Sequence, residues 1–227
     1  MIVSIDGNIG SGKSTLVKHL KEIFKDDNRF VFIQEPVNMW MENTDKKTGE
    51  NILTKFYNNQ EKYGFSFQIM AYATKLHILK EAIKNNPGKI IITERCVYTD
   101  KNVFAKMLYD ESKIEDVCYN IYNFMFDEFL GNTTVNRYIY VKTDFKVCDR
   151  RIKKRERTGE SSIPLEYLSK CEKYHKDWLS QCNHVLTLDG NNEFESNPEI
   201  LDLWKQKILD FIQPIETKTQ EMFSGLC

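Results

Sequence analysis

One stretch near the start of the sequence joins a strand-like segment, a glycine-rich loop and a helical pattern. Residues 2–5 are IVSI, residues 7–15 are GNIGSGKST, and Leu16, Leu20 and Ile23 then recur at helical spacing. The loop matches GxxxxGK[ST] in the strand–loop–helix context that this pattern requires. Its glycines let backbone N–H groups face phosphate oxygens, and the helix N-terminus adds partial positive charge. The stretch therefore predicts an α/β protein with a nucleotide-binding loop.

The loop also predicts individual contacts to a bound nucleotide. We expect Lys13 to reach the β- and γ-phosphates and the Ser14 hydroxyl to bind Mg²⁺. The residues expected to hold the phosphates of ATP are Gly7, Asn8, Ile9, Gly10, Ser11, Gly12, Lys13, Ser14 and Thr15. GTPases, ATPases and small-molecule kinases share the pattern, so it does not name the reaction. The guanine-reading NKxD motif is absent, which argues against a GTPase.

Short apolar segments alternate with longer helical patterns along the chain. Strands are predicted at 2–5, 30–33, 90–93, 138–141 and 185–188, and their β-branched character is typical of a parallel sheet buried on both faces. Helical patterns cover about 60–85 and 112–130, whereas 43–51 and 156–162 are polar, glycine-bearing loops. The alternation predicts one α/β domain over residues 1–227, with a C-terminal tail at about 214–227.

Composition and charge argue against several partners and locations. Lys and Arg number 32 against 33 Asp and Glu, so general electrostatic binding of nucleic acid is not expected. The longest apolar runs fall far short of the roughly 20 residues of a membrane helix. Six scattered cysteines form no CxxC pair, which indicates reduced thiols rather than a zinc site. Strand-like residues begin at Ile2, so we expect no signal or transit peptide and a cytoplasmic protein.

Charged residues follow two of the predicted strands. Glu35 comes just before Pro36 after the second strand, and Glu94 and Arg95 end the third. Ligands of open parallel sheets bind beyond the carboxyl ends of strands, so these side chains should lie near the glycine-rich loop. There Glu35 could accept a proton from an attacking hydroxyl, Glu94 could bind Mg²⁺, and Arg95 could bridge the phosphoryl group and its acceptor. A solvated glutamate and a plain ion pair at a strand end are the alternatives.

A basic cluster follows the fourth predicted strand. It consists of Arg150, Arg151, Lys153, Lys154, Arg155 and Arg157. Such a cluster is usually a solvated helix face or a site for a phosphate backbone. Its position also suits a lid at about 151–162 that closes over ATP, excludes water and brings arginines to the phosphates.

Together these motifs resemble the deoxynucleoside kinase family, which includes deoxycytidine, deoxyguanosine and mitochondrial thymidine kinases. The matching segments are GNIGSGKST at 7–15, EPVNMW at 35–40, FSFQ at 65–68, ERCVYTDKNVFA at 94–105, RIKKRER at 151–157 and IPLEYL at 163–168. The resemblance implies a P-loop kinase fold with five parallel strands, an arginine-rich lid and a homodimer formed through long helices. It also implies ATP-dependent phosphorylation of the 5′-hydroxyl of a deoxynucleoside, a reaction of nucleotide salvage.

The resemblance further implies a role for each matching residue. Glu35 receives the 5′-hydroxyl proton and Arg95 positions that oxygen and the phosphoryl group, with Lys13 and Arg155 completing the expected catalytic set. The other residues expected at the nucleoside are Trp40 in the sugar–base pocket, Tyr57 and Glu160 at the 3′-hydroxyl, Phe67 and Phe104 on the two sides of the base, and Gln68 at the base edge. The expected lid arginines at the ATP phosphates are Arg151, Arg155 and Arg157. Judged singly, the aromatic residues could equally belong to the core.

Two positions depart from the family pattern. Deoxycytidine and deoxyguanosine kinases pair an arginine seven residues after the base-reading glutamine with an aspartate six residues after the ER glutamate, and these positions are Lys75 and Asp100 here. Lysine lacks the planar fork of arginine, so we expect looser selection of the base. The charged pair favours deoxycytidine and purine deoxynucleosides, with thymidine left open. Cys96 replaces the usual serine, and a core thiol is its expected role.

Two other functions stay open beside deoxynucleoside phosphorylation. A nucleoside monophosphate kinase would need basic residues for the acceptor phosphate near the 35–37 turn, but none follows Glu35 before Lys46. A non-catalytic subunit with the same fold would be expected to have lost Lys13, Glu35 or Arg95, and all three are present. A DNA-repair or helicase ATPase would need a longer chain and a basic surface.

Overall fold

The computed structural model describes residues 1–155, 157, 160, 163–193 and 197–212. Within those residues lie five strands: β1 (Ile2–Asp6), β2 (Phe30–Ile33), β3 (Ile90–Glu94), β4 (Arg137–Lys142) and β5 (Val185–Asp189). They form one sheet in the order β2–β3–β1–β4–β5, and every neighbouring pair is parallel. The α/β class and the five-stranded parallel sheet are therefore confirmed.

Helices connect the strands and cover the sheet. They are α1 (Lys13–Ile23), α2 (Val37–Glu42), α3 (Ile52–Asn58), α4 (Gln60–Asn85), α5 (Val97–Thr99), a π-helix (Asp100–Ala105), α6 (Lys106–Asp110), α7 (Asp116–Phe129), α8 (Phe145–Arg155), α9 (Leu165–Leu179) and α10 (Pro198–Ile212). Asparagine caps begin two of them: Asn51 accepts from the Thr54 N–H at 2.9 Å and Asn59 from the Lys62 N–H at 3.0 Å. No helix in this described part of the chain is long and apolar enough to span a membrane.

Both faces of the sheet are buried, as the β-branched strands predict. Val3 and Ile5 of β1 pack with Leu16 of α1 and with Trp204 and Ile208 of α10. On the opposite face, Tyr138 and Tyr140 of β4 pack in a second cluster with Leu79 of α4 and Leu179 of α9. Alternate residues of each strand thus enter different layers, which is the period-two pattern of a sheet between two helical layers.

The strand register brings three chain segments to one edge of the sheet. Ile5 of β1 pairs with Glu94 of β3, and Ile33 of β2 pairs with Thr93 of β3. The residues that follow β1, β2 and β3 therefore leave the sheet side by side. The glycine-rich loop, Glu35 and Arg95 lie in the three segments that follow these strands.

Most predicted boundaries agree with the structure within a few residues. The pattern at 60–85 is α4, and the strands at 2–5, 90–93 and 185–188 each extend by one residue at the carboxyl end. The pattern at 112–130 forms a helix only from Asp116, because the preceding residues make a turn in which Ser112 has a φ of 56°. Residues 43–51 form the predicted loop, closed by a bridge between Thr44 and Asn51. The tail at 214–227 and most of the loop at 156–162 lie outside the described residues.

Candidate active site

The glycine-rich loop turns tightly between β1 and α1, and all three of its glycines have a positive φ, with Gly7 at 148°. Gly10 has a φ of 76° and Gly12, at the start of α1, a φ of 99°. A Cβ atom on Gly10 would lie 2.7 Å from the Cys148 carbonyl oxygen and 2.9 Å from Ile152 Cγ1. Gly10 therefore needs both its backbone freedom and its missing side chain, because α8 packs directly against the loop.

We expect Gly10→Ala to lower the free energy of unfolding by about 2–4 kcal/mol, which combines left-handed strain with overpacking against α8. Gly49→Ala is the matched control, because Gly49 has a φ of 72° but no atom within 4 Å of the added methyl group. Chemical denaturation of both variants would separate the two costs. Equal destabilisation of the two variants would mean that contact with α8 does not constrain the loop.

The structure places the predicted loop residues in two groups. The residues that line a cavity are Ile9, Gly10, Gly12, Lys13, Ser14 and Thr15. Gly7, Asn8 and Ser11 are buried and do not line it. The Asn8 amide donates to the Leu168 carbonyl of α9 at 2.8 Å. The Ser11 carbonyl accepts from the Thr143 hydroxyl at 3.2 Å. The second group thus fixes the shape of the loop through its side chains and carbonyls.

Lys13 lies inside the curve of the loop. Its ammonium group donates to the Asn8 carbonyl at 2.6 Å and lies 3.4 Å from the Ser11 hydroxyl. Burial, with a contribution from the nearby Arg95, lowers the pKa of Lys13 to about 7. A phosphate beside this group would stabilise its charged form, so the loop is suited to an anion.

The loop forms one end of a cavity of about 430 Å³. The opposite end is lined by side chains from α2, α3, α4 and the π-helix. Sequence-predicted residues in the lining, besides those of the loop, are Glu35, Trp40, Tyr57, Phe67, Gln68, Lys75, Glu94, Arg95, Asp100, Phe104, Arg151, Arg155, Arg157 and Glu160. The cavity thus brings together all the predicted residues except Gly7, Asn8 and Ser11.

A buried network of four charges lies between the loop and the aromatic end. Arg95 Nη1 lies 2.8 Å from Glu35 Oε2, and Lys75 Nζ lies 2.9 Å from Glu35 Oε1 and 2.7 Å from Asp100 Oδ1. The Glu35 side chain is 10% exposed and the others 7% or less. Among the described residues Arg95 pairs with Glu35 rather than with Glu94, the partner considered in the plain ion pair at the strand end. Two cations thus balance two carboxylates away from water.

The network perturbs the pKa values of its carboxyl groups in opposite directions. Burial alone would raise the pKa of Glu35, but Arg95, Lys75 and Lys13 outweigh it and hold that pKa well below its usual range. Burial raises the pKa of Asp100 to about 6, although Lys75 opposes the shift. Glu35 is therefore ionised at neutral pH and free to accept a proton, while Asp100 titrates nearer neutrality.

Aromatic side chains form the walls of the far end. Phe67 stacks on Phe56 with ring centroids 4.7 Å apart, and Trp40 meets Phe67 edge-on at 5.3 Å. Across the cavity, Phe104 lies under the Arg95 guanidinium at 5.1 Å. Rings on two sides of an enclosed space suit a flat heteroaromatic ligand.

Two polar atoms at this end have no hydrogen-bond partner among the described residues. Gln68 Oε1 and Asp100 Oδ2 are both fully buried and unpartnered. Buried polar atoms normally have partners, so each points to a ligand group that completes it. Gln68 and Asp100 come from α4 and the π-helix, which places a possible acceptor on each of two elements.

Three arginines of the basic cluster divide between two sets of partners. Arg151 donates to the backbone carbonyls of Gly190 at 2.8 Å and Asn192 at 3.0 Å. Arg155 and Arg157 both pair with Glu160, the latter at 3.1 Å. Two of the three predicted lid arginines, Arg155 and Arg157, therefore share the predicted 3′-hydroxyl residue, whereas Arg151 does not. Glu156, Thr158, Gly159, Ser161 and Ser162 of that lid lie outside the described residues.

Ser14 and Glu94 meet at the phosphate end of the cavity. The Ser14 hydroxyl donates to Glu94 Oε1 at 2.5 Å. A hydroxyl and a carboxylate are oxygen ligands of the kind that Mg²⁺ prefers when it also binds substrate phosphates. These two residues therefore fit the predicted metal site.

Sequence reasoning missed several apolar residues of the lining, among them Leu53, Phe56, Ala71 and Tyr167. For Ala71 a signal was present. It lies three residues after Gln68 and four before Lys75, so it shares their face of α4. Phe56 and Tyr167 carried no such signal, because buried aromatic residues next to predicted site residues read equally well as core.

Comparison with known proteins gives one consistent result. The profile of the deoxynucleoside kinase family matches residues 3–213. A probable deoxycytidine kinase of fowlpox virus is 32% identical over 94% of this chain and 88% of its own length. Deoxycytidine kinase of Bos taurus is 30% identical over 94% and 91%. Mitochondrial deoxyguanosine kinase of Xenopus laevis is 25% identical over 92% and 89%.

Proposed function

The chain belongs to the deoxynucleoside kinase family, and on that premise we propose that it transfers the γ-phosphoryl group of ATP to the 5′-hydroxyl of a deoxyribonucleoside. One observation carries the proposal. A single cavity joins a phosphate-binding loop to a two-walled aromatic pocket, and an ionised, buried carboxylate lies between them. The arrangement provides a place for a donor phosphate, a proton acceptor and a nucleoside in that order.

In the proposed reaction, Glu35 accepts the 5′-hydroxyl proton while Arg95 and Lys13 stabilise the negative charge on the transferring phosphoryl group. Positioning and charge stabilisation are the main resources of phosphoryl transfer. Arg155 and the other lid arginines, Arg151 and Arg157, would approach the donor phosphates. Mg²⁺, held by Ser14 and Glu94, supplies neutralising charge at the phosphates when bound.

The proposed nucleoside contacts follow the lining of the far end. The base would lie between Phe67 and Phe104, with its edge at Gln68. The sugar would lie against Trp40, with its 3′-hydroxyl at Tyr57 and Glu160. The unpartnered oxygen of Gln68 supports this orientation, because a hydrogen-bond donor on the base would complete it.

A nucleoside monophosphate kinase is the weaker alternative. An acceptor phosphate would need a positive charge that is not already balanced near Glu35. Lys75 and Arg95, the cations that contact Glu35 among the described residues, both engage carboxylates. The charge balance therefore favours a neutral acceptor.

We propose that Lys75 and Asp100 favour deoxycytidine and purine deoxynucleosides. Removing both charges by Lys75→Met with Asp100→Ala is expected to raise the relative kcat/KM for thymidine over deoxycytidine by about tenfold or more, because lost polar contacts discriminate strongly. Steady-state kinetics with both nucleosides would measure the ratio. An unchanged ratio would remove this pair from base selection.

We also propose a homodimer formed through α7. Val117, Ile121 and Phe124 recur at helical spacing along this helix and are 59%, 45% and 65% exposed, which leaves an apolar stripe that a second copy would cover. Ile121→Glu with Phe124→Glu is expected to convert the dimer into a monomer in analytical ultracentrifugation. Leu203→Glu, at an exposed leucine of α10, is the control. A monomeric wild-type chain would contradict the proposal.

The proposed domain is a single kinase unit acting in the cytoplasm. The five described cysteines are free thiols, and Cys96, Cys148 and Cys171 are buried. Free buried thiols are usual in reducing compartments. Burial raises the pKa of Cys96 to about 12, which supports the role of an inert core thiol at this position.

The decisive test is ATP-dependent phosphorylation of deoxycytidine, deoxyadenosine, deoxyguanosine and thymidine, with dCMP and dTMP as parallel acceptors. We expect turnover of one or more nucleosides and none of the monophosphates. Turnover of the monophosphates alone would favour the alternative. No turnover of any acceptor by a folded chain that binds ATP would indicate a non-catalytic subunit.

A further inference from the structure

Lys75 contacts two carboxylates that belong to different parts of the cavity. Its ammonium group lies 2.7 Å from Asp100 Oδ1, at the base edge, and 2.9 Å from Glu35 Oε1, at the proposed reaction centre. The three residues come from α4, from the start of the π-helix and from the segment after β2. One side chain therefore joins the part of the site that reads the base to the part that performs the chemistry.

We propose that Lys75 is a positioning residue for phosphoryl transfer, which orients the Glu35 carboxylate and makes turnover depend on the base-reading Asp100. The proposal rests on the proposed function and goes beyond the role of Lys75 in choosing the base. According to this proposal Lys75 affects kcat for every nucleoside, even where two nucleosides bind with the same affinity.

The geometry of Glu35 carries the argument. Arg95 Nη1 contacts both oxygens, at 2.8 and 3.1 Å, and Lys75 adds a second cation on Oε1 only. Two cations from different elements fix the plane of the carboxylate, whereas Arg95 alone would allow it to rotate. Glu35 must present one lone pair to the attacking hydroxyl, so a fixed plane matters for proton transfer.

The charges around Glu35 predict the direction in which the pH profile of kcat/KM moves when Lys75 is replaced. Glu35 must be ionised to accept a proton, and Lys75 is one of the groups that hold its pKa down. The charged and titratable groups around Glu35 are Arg95, Lys75, Lys13, Asp100, Tyr57 and His175. Removing Lys75 raises the pKa of Glu35, so the acidic limb of the kcat/KM profile moves to higher pH. Removing Asp100 takes away a negative charge and does not move that limb upward.

The test is steady-state kinetics with deoxycytidine and thymidine, from the lowest pH at which the chain stays folded up to pH 9, so that the low pKa of Glu35 falls as near the measured range as folding allows. The chains compared are wild type, Lys75→Met, Lys75→Arg, Asp100→Ala and the double variant Lys75→Met with Asp100→Ala. We expect Lys75→Met to lower kcat by about tenfold or more for both nucleosides and to move the acidic limb to higher pH. Lys75→Arg should return the limb to its wild-type position, because it restores the charge.

The double variant keeps the test decisive if Lys75→Met alone does not fold, because it removes one charge of each sign. Relative to Asp100→Ala, its acidic limb is expected at higher pH. Changes in KM and base preference with an unmoved limb would overturn the positioning role and leave the proposed function standing. A wild-type chain that phosphorylates no nucleoside would overturn both.

Discussion

Glu35→Gln is expected to lower kcat by a factor of about 10²–10⁴, the usual contribution of a general base. The amide keeps the shape of the side chain and can still accept from Arg95, but it cannot take the proton of a 5′-hydroxyl. Lys75 retains its contact with Asp100, so the buried network loses one charge without leaving Lys75 unpaired. We therefore expect a folded protein that binds ATP and a nucleoside and turns over slowly. Rapid-quench and steady-state assays would measure the loss.

The control is Glu22→Gln, at an exposed glutamate of α1 that pairs with Lys25. Exposed ion pairs of this kind contribute little. Its kcat should match that of the wild type. A Glu35→Gln chain with an unchanged steady-state rate would remove Glu35 from the role of base, and loss of ATP binding would indicate a structural role instead.

Arg95→Lys should lower kcat by about 10²–10³, the cost of removing one preorganised donor from a charged transition state. The guanidinium of Arg95 serves three neighbours at once: Glu35, the Gly7 carbonyl at 3.2 Å and the face of Phe104. A lysine ammonium is a point charge on a flexible stem and cannot keep these contacts together. The left-handed φ of 56° at position 95 strains the backbone of arginine and of lysine equally. The comparison of Arg95→Lys with the wild type therefore reports on the side chain alone.

The matched control for this substitution is Arg29→Lys, at an exposed arginine that pairs with Asp27. Its activity is expected to equal that of the wild type. Thermal unfolding would show whether Arg95→Lys also destabilises the buried network. A variant with normal kcat but a raised KM would mean that Arg95 only binds the nucleoside.

The sheet could be predicted because its strands are short, β-branched and nearly continuous. Val3, Ile5, Ile92 and Ile139 are all fully buried, so hydrophobicity alone marks them. Helix α4 was equally predictable, since its apolar spacing runs from Phe67 to Leu79 without a breaker. The start of α7 was not. Ser112 adopts a left-handed backbone angle that local propensity does not favour, and tertiary contacts of the neighbouring Ile114 fix the turn.

The membership of the candidate site was predictable from motifs, but its internal connections were not. The position of Lys75 relative to Gln68 predicts that it belongs to the proposed base pocket. Its contact with Glu35 depends on how α4 packs against the segment after β2. Similarly, the motif predicts that Asn8 and Ser11 contact phosphate. In the structure the Asn8 side chain is buried and donates a hydrogen bond to the Leu168 carbonyl, which holds the loop against α9.

The π-helix at Asp100–Ala105 also restricts how this site can change over evolution. Its turn is one residue wider than that of an α-helix, and Asp100 and Phe104 both reach the cavity from it. Loss of a single residue would tighten the turn and rotate the following side chains by about 100°, which would carry Phe104 out of the proposed base pocket. Lineages with new base preferences are therefore expected to differ here by substitution, and to keep the length of this segment constant.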